Sequence, residues 1–398
     1  MSTSAVANPF ESAKADLHEV LRGLRRDSPV MEMTLPTGAT AWLVTRYADA
    51  QRALTDPKLG KTTSAGGFSY RDMVPPDVAK AVSRHMLTIN PPDHTRIRRL
   101  VSGAFTARRV AEFRPRIEEL ARHLLDEMSG ADQLDLIDSF AFPLPIQVLC
   151  ELLGVPTEDQ ASFRRWSDAI VSGGVNPAGL PPALISIVAY IRELLVAKRR
   201  HPADDLLSAL IEVQDNDDRL TDDELISMVY LFLIAGHETT VNLIGNGTLL
   251  LLAEPDRWAR VVAEPELIPN AVEELLRYEG PVQSSTFRTA LATTEIGGKT
   301  IPEGAFVLVS LLSANRDSER FPDGDRLDLD RPPTPNLAFG HGIHYCLGAP
   351  LARLEGQIAF HALTRRFPKM RLAVPMEEIL WRPGMLLRGL TALPVIPG

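Results

Sequence analysis

Cys346 lies in the stretch FGHGIHYCLGAPLARLE at 339–355, behind Gly340 and Gly342 and ahead of a pattern that predicts a helix from about Leu347 to Arg366. Glycines let a backbone take positive φ and approach a flat ligand closely. A cysteine at the start of a helix meets exposed N–H groups and the positive end of the dipole, which favour the thiolate. A thiolate beside a glycine-lined loop is a metal ligand, and with His341 and His344 close by in sequence zinc is one reading. Further along the chain, NPPDHTRIRR sets His94 and Arg98 at i and i+4 on one predicted helix. Two cationic donors a turn apart suit a carboxylate, which arginine can engage bidentately. A third group, AGHETTVN at 235–242, puts an acid (Glu238) and an alcohol (Thr239) side by side inside an apolar run, where a carboxyl needs a partner. HETTV at 237–241 starts like the zinc-protease motif HExxH, but Val241 stands where the second ligand must be, so that reading fails.

The element carrying Glu238 and Thr239 must be long. Thr221-Asp222-Asp223-Glu224 is a capping box, and the pattern then runs without proline to Glu254, with Pro255 following. About 32 helical residues span roughly 48 Å. The pattern is apolar on most faces, which predicts a buried helix. Ala235, Thr239 and Asn242 fall on one face of it, Gly236 costs about 1 kcal/mol relative to alanine, and a buried Glu238 needs a partner. Before it, 16–26 reads as a helix, PVMEMTL and ATAWLVTRY as paired strands turning at Pro36-Thr37-Gly38, Tyr47–Thr55 as a short helix and 60–80 as a long loop. Asp93 is placed to cap the helix that carries His94 and Arg98. SGGVNPAGLPP at 172–182 reads as a loop between helices, 284–310 as strands with a Gly-Gly turn, and 370–395 as short strands. AVEELLRYEG carries Glu274 and Arg277 at i and i+3.

The 398 residues are 45% hydrophobic and 23% charged, with a formal charge of −9, which fits a globular protein with a large core and argues against a nucleic-acid surface over the whole molecule. Cys150, in PLPIQVLCELLGV, reads as a small buried hydrophobe, so no disulfide framework is indicated. The N-terminus lacks a basic region followed by an apolar stretch, and the apolar segment near 225–253 holds Glu238, Asn242 and Asn246, a poor membrane span. A cytoplasmic protein without membrane contact is expected.

Phe339, Gly340, Gly342, His344, Cys346 and Gly348 together match FGxGxHxCxG, which resembles the heme-binding loop of the cytochrome P-450 family. Four further motifs follow the family's order: His94/Arg98, AGxETT at 235–240, Glu274/Arg277 and Arg288. The resemblance covers essentially the whole chain. It implies one domain over 1–398, mainly α with small β-sheets: a β-rich part at about 28–46, a helical bulk at about 90–280, and a heme loop with its helix at about 336–366. A long central helix would cross over the heme.

The resemblance also implies roles. Heme b would be ligated through Cys346 and contacted by His94, Arg98, Ala235, Arg288 and His344, with Glu238 and Thr239 as the acid–alcohol pair of oxygen activation. Glu238 stands where other members carry aspartate. Glu274 and Arg277 would be a structural pair, and Leu231, Ile234, Ser284 and Leu387 would line the substrate cavity. The implied activity is heme-thiolate monooxygenation of a bulky lipophilic molecule, hydroxylated or epoxidised, of the macrolide, polyketide or steroid type. Other readings are a peroxide-driven peroxygenase, whose members usually lack the acid–alcohol pair, and a non-catalytic heme sensor. With no flavin or dinucleotide fingerprint, electrons would come from NAD(P)H through a ferredoxin reductase and an acidic ferredoxin, which the cluster Arg96, Arg99, Arg108 and Arg109 would receive.

Overall fold

A computed structural model describes residues 8–10, 17–62, 73–171, 177–214 and 219–398. Helices build most of it, and one large apolar core runs through them. Strands β1 (Val30–Thr34), β2 (Thr40–Val44), β3 (Leu59–Gly60), β5 (Arg288–Ala290) and β8 (Phe306–Val309) form one sheet in the order β1-β2-β8-β5-β3. Three short strands, β4 (Leu134–Asp135), β9 (Arg371–Leu372) and β10 (Pro394–Ile396), form a second, while β6 (Thr294–Ile296) and β7 (Lys299–Ile301) make a hairpin across Gly297-Gly298.

The first hairpin forms as its alternation predicts. β1 and β2 pair antiparallel from Val30↔Val44 to Thr34↔Thr40, and Gly38 takes φ 82° in the turn. The helices Leu17–Asp27, Tyr47–Thr55 and Ala349–Arg366 also stand within a residue or two of expectation. Other readings need correction. Within 60–80, Pro76–Ser83 is a helix with proline in its first turn rather than loop, and 63–72 lie outside the described residues. The strand expected through 310 stops at Val309, because the Ser310 hydroxyl accepts from Ser313 N at 3.2 Å and starts the helical turn Leu311–Ala314. Asp93 does not cap: Pro92 holds that position, and Asp93, already inside the helix Asp93–Ala104, lies 3.4 Å from the Arg84 guanidinium. Of the 172–182 loop, 172–176 lie outside the described residues, and Pro177–Gly179 is a short 3-10 turn leading into the helix Leu180–Arg200.

The central helix starts as read, with Thr221 Oγ1 accepting from Glu224 N and Glu224 Oε2 from Thr221 N. It is not continuous to Glu254, however. It runs Asp222–Ala235, breaks at Gly236-His237, and resumes as Glu238–Leu252. The break has an identifiable cause in which group satisfies which carbonyl. Leu233 O accepts from His237 Nδ1 at 2.9 Å, and Ala235 O from the Thr239 hydroxyl at 3.2 Å, so side chains bond carbonyls at the interruption. Since Nδ1 donates, Nε2 of His237 accepts from the Ser167 hydroxyl, 2.9 Å away on the helix Gln160–Val171. Burial lowers the pKa of His237, consistent with a neutral ring. Gly236 leaves no room for a side chain: a Cβ there would stand 2.4 Å from Phe232 O.

Arg277 and Glu274, on the helix Ile268–Glu279, are both buried and form a two-pronged pair, with Nε–Oε2 and Nη2–Oε1 each 2.7 Å. The guanidinium also donates to the carbonyls of Asn315, Gly324 and Arg326, and Glu274 Oε1 accepts from Asp328 N and Arg331 Nε. One ion pair therefore stitches together the irregular segment that leads to Cys346. At the end of the same helix, Glu279 is buried among His18 (2.7 Å), Arg388 (2.9 Å) and Arg316 (3.2 Å).

Burial alone would raise the Glu279 carboxyl pKa, but these three groups outweigh it and hold the carboxyl well below the ordinary range. A depressed folded pKa stabilises the fold above the unfolded value, about 4.3 for glutamate, and the gain is lost as pH falls below it. Glu279→Gln should therefore lower the urea midpoint strongly at pH 7, with the gap to wild type closing below about pH 4. A gap that stays constant from pH 7 to pH 3 would show that Glu279 is not the linked group.

Candidate functional site

Cys346 enters the site from a backbone that its neighbours determine. Its N–H donates to Phe339 O at 2.9 Å, closing the loop, and Gly340 and Gly342 turn that loop at φ 73° and 72°. Gly342 has a second reason to be glycine: a Cβ would press on Leu54 O and Thr55 Cγ2, each 3.1 Å away. The helix Ala349–Arg366 begins three residues after the sulfur. Cys346 remains accessible although protein surrounds it closely, and this burial raises the thiol pKa. The N–H groups of Gly348 and Ala349 and the charges of Arg98 and Arg353 pull the other way without overcoming it. The helix end thus moderates the sulfur but does not by itself make it a thiolate. Binding a metal ion would remove the proton.

Basic groups from four separate segments gather on one side of this loop. His94 and Arg98 come from the helix Asp93–Ala104, Arg288 from β5, His344 from the cysteine loop and Lys61 from the end of β3. The rings of His94 and His344 are 4.4 Å apart. Both nitrogens of His94 are buried without a hydrogen-bond partner, and so is Nε of Arg288. Arg288 spends its other nitrogens on Leu59 O (2.9 Å) and Leu54 O (3.0 Å), and Arg98 Nη2 donates to Tyr345 O at 2.7 Å. The strand that carries Arg288 is flanked on both sides, so this arginine is not turned to solvent.

Burial lowers the pKa of His94, Arg288 and Lys61, with Arg288 pushed down to about 10. His344 is lowered to about 3 by burial and by Lys61, His94, Arg288 and Arg98, all positive or potentially so. Unspent buried donors on His94 and Arg288, beside the cationic Arg98, call for an anion. The carboxylates of heme suit this set, and the sulfur lies beside it, so the residues present fit the group that the resemblance implies. A zinc site fits worse: among the described residues no cluster of three His, Cys, Asp or Glu side chains is placed to hold a metal ion.

On the central helix, Ala235 is exposed at the break while Leu231 and Ile234 are half-buried. Thr239 is half-buried, with its hydroxyl on Ala235 O. Glu238 is buried and faces a different neighbour, Arg382, whose Nη2 lies 2.5 Å from Oε1. Acid and alcohol are adjacent in the chain yet address different surroundings. Ser284 is fully buried with Oγ unpartnered, in a bridge with Ser310, and Leu387 is half-buried opposite Val282. Nearby, a cavity of about 310 Å³ is lined by residues including Val82, His85, Phe287, Met385 and Leu386. The four arginines expected to form a basic face are largely committed elsewhere. Arg96 pairs with Glu224, Arg108 with Glu112 and Arg109 with Asp204.

Two residues here escape a reading of motifs. Lys61 is buried with Nζ on Thr286 and Phe287 oxygens, and its only sequence signal is a lone lysine after a two-residue strand. Arg382 carries no signal at all, because its partners lie about 140 positions earlier.

A family model described as cytochrome P-450 matches residues 186–378. The chain is 48% identical over 378 residues to cytochrome P-450 107B1 of Saccharopolyspora erythraea, covering 94% of this chain and 93% of that one. It is 44% identical over 393 residues to the 6-deoxyerythronolide B hydroxylase of the same organism, covering 97% of each. Among solved structures, the tirandamycin C-bound P-450 monooxygenase TamI superposes with a TM-score of 0.89 at 46% identity, covering 96% of this chain and 98% of that one.

Replacing His94 with Ala should speed loss of heme to a scavenging apoprotein by about 10- to 100-fold, since a hydrogen bond to a charged group contributes roughly 1.5–3 kcal/mol. An unchanged transfer rate would remove His94 from the anion site.

Proposed function

The chain belongs to the cytochrome P-450 family and is a heme-thiolate monooxygenase, and from that premise we propose that its substrate is a macrolide or related polyketide, held above the heme that Cys346 ligates. Heme bound through a thiolate supplies the oxygen-activating chemistry, which takes two electrons from outside the chain. The chain's own residues do the rest. His94, Arg98, His344 and Nε of Arg288 would hold the carboxylates of the heme. Ala235, exposed at that break, leaves space for oxygen where a larger side chain would fill it. The Thr239 hydroxyl can exchange its bond to Ala235 O for one that passes a proton, and Glu238 resupplies it. Leu231, Ile234, Ser284 and Leu387 turn the substrate's apolar body toward the centre.

The observation that carries this reading is the buried cationic nest with unspent donors beside Cys346. The substrate class is supported by relatives: one is named for hydroxylating 6-deoxyerythronolide B, and a solved neighbour holds tirandamycin C. Family members use redox partners, and a ferredoxin with its reductase fits a chain without a flavin or dinucleotide fingerprint. The cytoplasm fits that supply of electrons. The acid–alcohol pair argues against a peroxide-driven enzyme.

Titrating the holoenzyme with 6-deoxyerythronolide B and with tirandamycin C should shift the Soret band from low to high spin for at least one of them, and palmitate should do so more weakly. A shift with palmitate alone would replace the macrolide reading with a fatty-acid one. With ferredoxin, reductase and the better probe, Thr239→Ala should keep heme and substrate binding while sending most NADPH-derived electrons to peroxide. Fully coupled turnover in that variant would exclude Thr239 from the relay.

A further inference from the structure

Glu238 is held from the far end of the chain. Around Trp381 and Leu390, which face each other in an antiparallel bridge, Arg382 N donates to Gly389 O at 2.8 Å and Thr391 N to Leu380 O at 2.9 Å. This hairpin lies against the start of the helix Glu238–Leu252. Arg382 Nη2 donates to Asn242 Oδ1 at 2.6 Å and stands 2.5 Å from Glu238 Oε1, so a single nitrogen bridges residues i and i+4 of that helix. The fit is close enough to exclude any side chain at Gly389, whose Cβ would meet Asn242 Oδ1 at 2.1 Å and Arg382 Nη2 at 2.8 Å.

The two ends of the pair differ sharply in environment. The Glu238 side chain is 4% exposed and that of Arg382 35%. Asp168, exposed on the helix Gln160–Val171, lies close enough to feel the charges of Glu238, Arg382, Arg164 and Asp138. The half-exposed Arg382 thus connects solvent to a buried carboxylate next to Thr239 in the chain. An arginine serving only to neutralise Glu238 would gain nothing from being clamped by Asn242 and seated against a glycine. Clamping fixes where the carboxylate points.

We propose that Arg382 is a positioning residue for Glu238, and that the half-exposed side of this pair is where protons reach the carboxylate from solvent. This rests on the reading of Glu238 as the proton carrier to Thr239. A proton from water adds to the Glu238 carboxylate, its attraction to Arg382 falls, and the carboxyl swings toward Thr239. Handing that proton on regenerates the carboxylate, which returns to the arginine. Asn242 keeps the guanidinium in place throughout, so each return ends in the same geometry.

The test uses full-length holoenzyme with ferredoxin, reductase and whichever of the two polyketide probes gives the larger spin shift. Arg382→Gln should raise the peroxide released per NADPH at least threefold and enlarge the solvent isotope effect on product formation, and Arg382→Lys should restore most of the coupling. In the double variant E238Q/R382Q, losses should be no greater than in E238Q alone. Away from turnover, the drop in urea midpoint caused by R382Q should shrink once Glu238 is already glutamine. Wild-type coupling in R382Q beside an uncoupled E238Q overturns the proposal, as do losses that multiply in the double variant. Full coupling in E238Q is a different failure, which removes the proton-carrier reading itself and the proposal with it. Should R382Q not retain the thiolate-type carbon monoxide band, Asn242→Ala takes its place. That variant leaves the charge pair but loosens the guanidinium, and a smaller rise in peroxide is expected; wild-type coupling there overturns the proposal.

Discussion

Nitrogen donors gathered without a matching carboxylate are the constraint on which the rest of this chain depends. Lys61, His94, Arg98, Arg288 and His344 converge from segments spread over nearly 300 positions. Each is held by something other than a carboxylate: backbone oxygens for Lys61, Arg98 and Arg288, and packing for the two histidines. Such an arrangement is costly in a low dielectric until an anion arrives. The segment leading to the cysteine loop is held in turn by the Arg277–Glu274 pair. By bonding three carbonyls of the segment 315–326, it fixes the approach to the cysteine loop through groups that take no part in the chemistry.

The second organising feature is a helix that stops being one for two residues. Breaking a buried helix leaves carbonyls without N–H partners, and here side chains take their place. His237 serves Leu233 O, and Thr239 serves Ala235 O. The same substitution that satisfies the backbone sets a hydroxyl beside the exposed Ala235. His237 then ties the break to Ser167, while Arg382 ties the resumed helix to the C-terminal hairpin. The residues that repair the backbone at the break are thus neighbours of the groups that the proposed proton relay would use.

Much of this was legible locally. Thr221 and Glu224 cap one another as their spacing requires, β1 and β2 pair through the expected turn, and Gly340 and Gly342 take the positive φ their loop needs. Asp93 and the strand end at 309–310 misled for a common reason. A capping residue or a strand end is chosen by whichever neighbour offers the better hydrogen bond, and that choice shifts by a residue without changing composition. The central run was read as continuous because Gly236 is tolerated in helices. The interruption depends on His237 reaching back to a carbonyl. The ion pairs of Arg96 with Glu224 and of Arg109 with Asp204 were not legible, because those partners lie far along the chain.

What the sequence by itself determined was the reaction: one cysteine in a glycine-turned loop, a cationic pair and an acid–alcohol pair are chemical identities that survive any arrangement compatible with the family. Tertiary structure alone decided which of these groups touch. Arg288 has only Nε left to offer, Lys61 is spent on Thr286 and Phe287 oxygens, and Glu238 turns to Arg382 rather than to its neighbour Thr239. The physical reason is range. Backbone preference and helix capping act over a few residues and can be read from spacing, whereas a buried charge is satisfied by whatever the fold brings within about 3 Å of it.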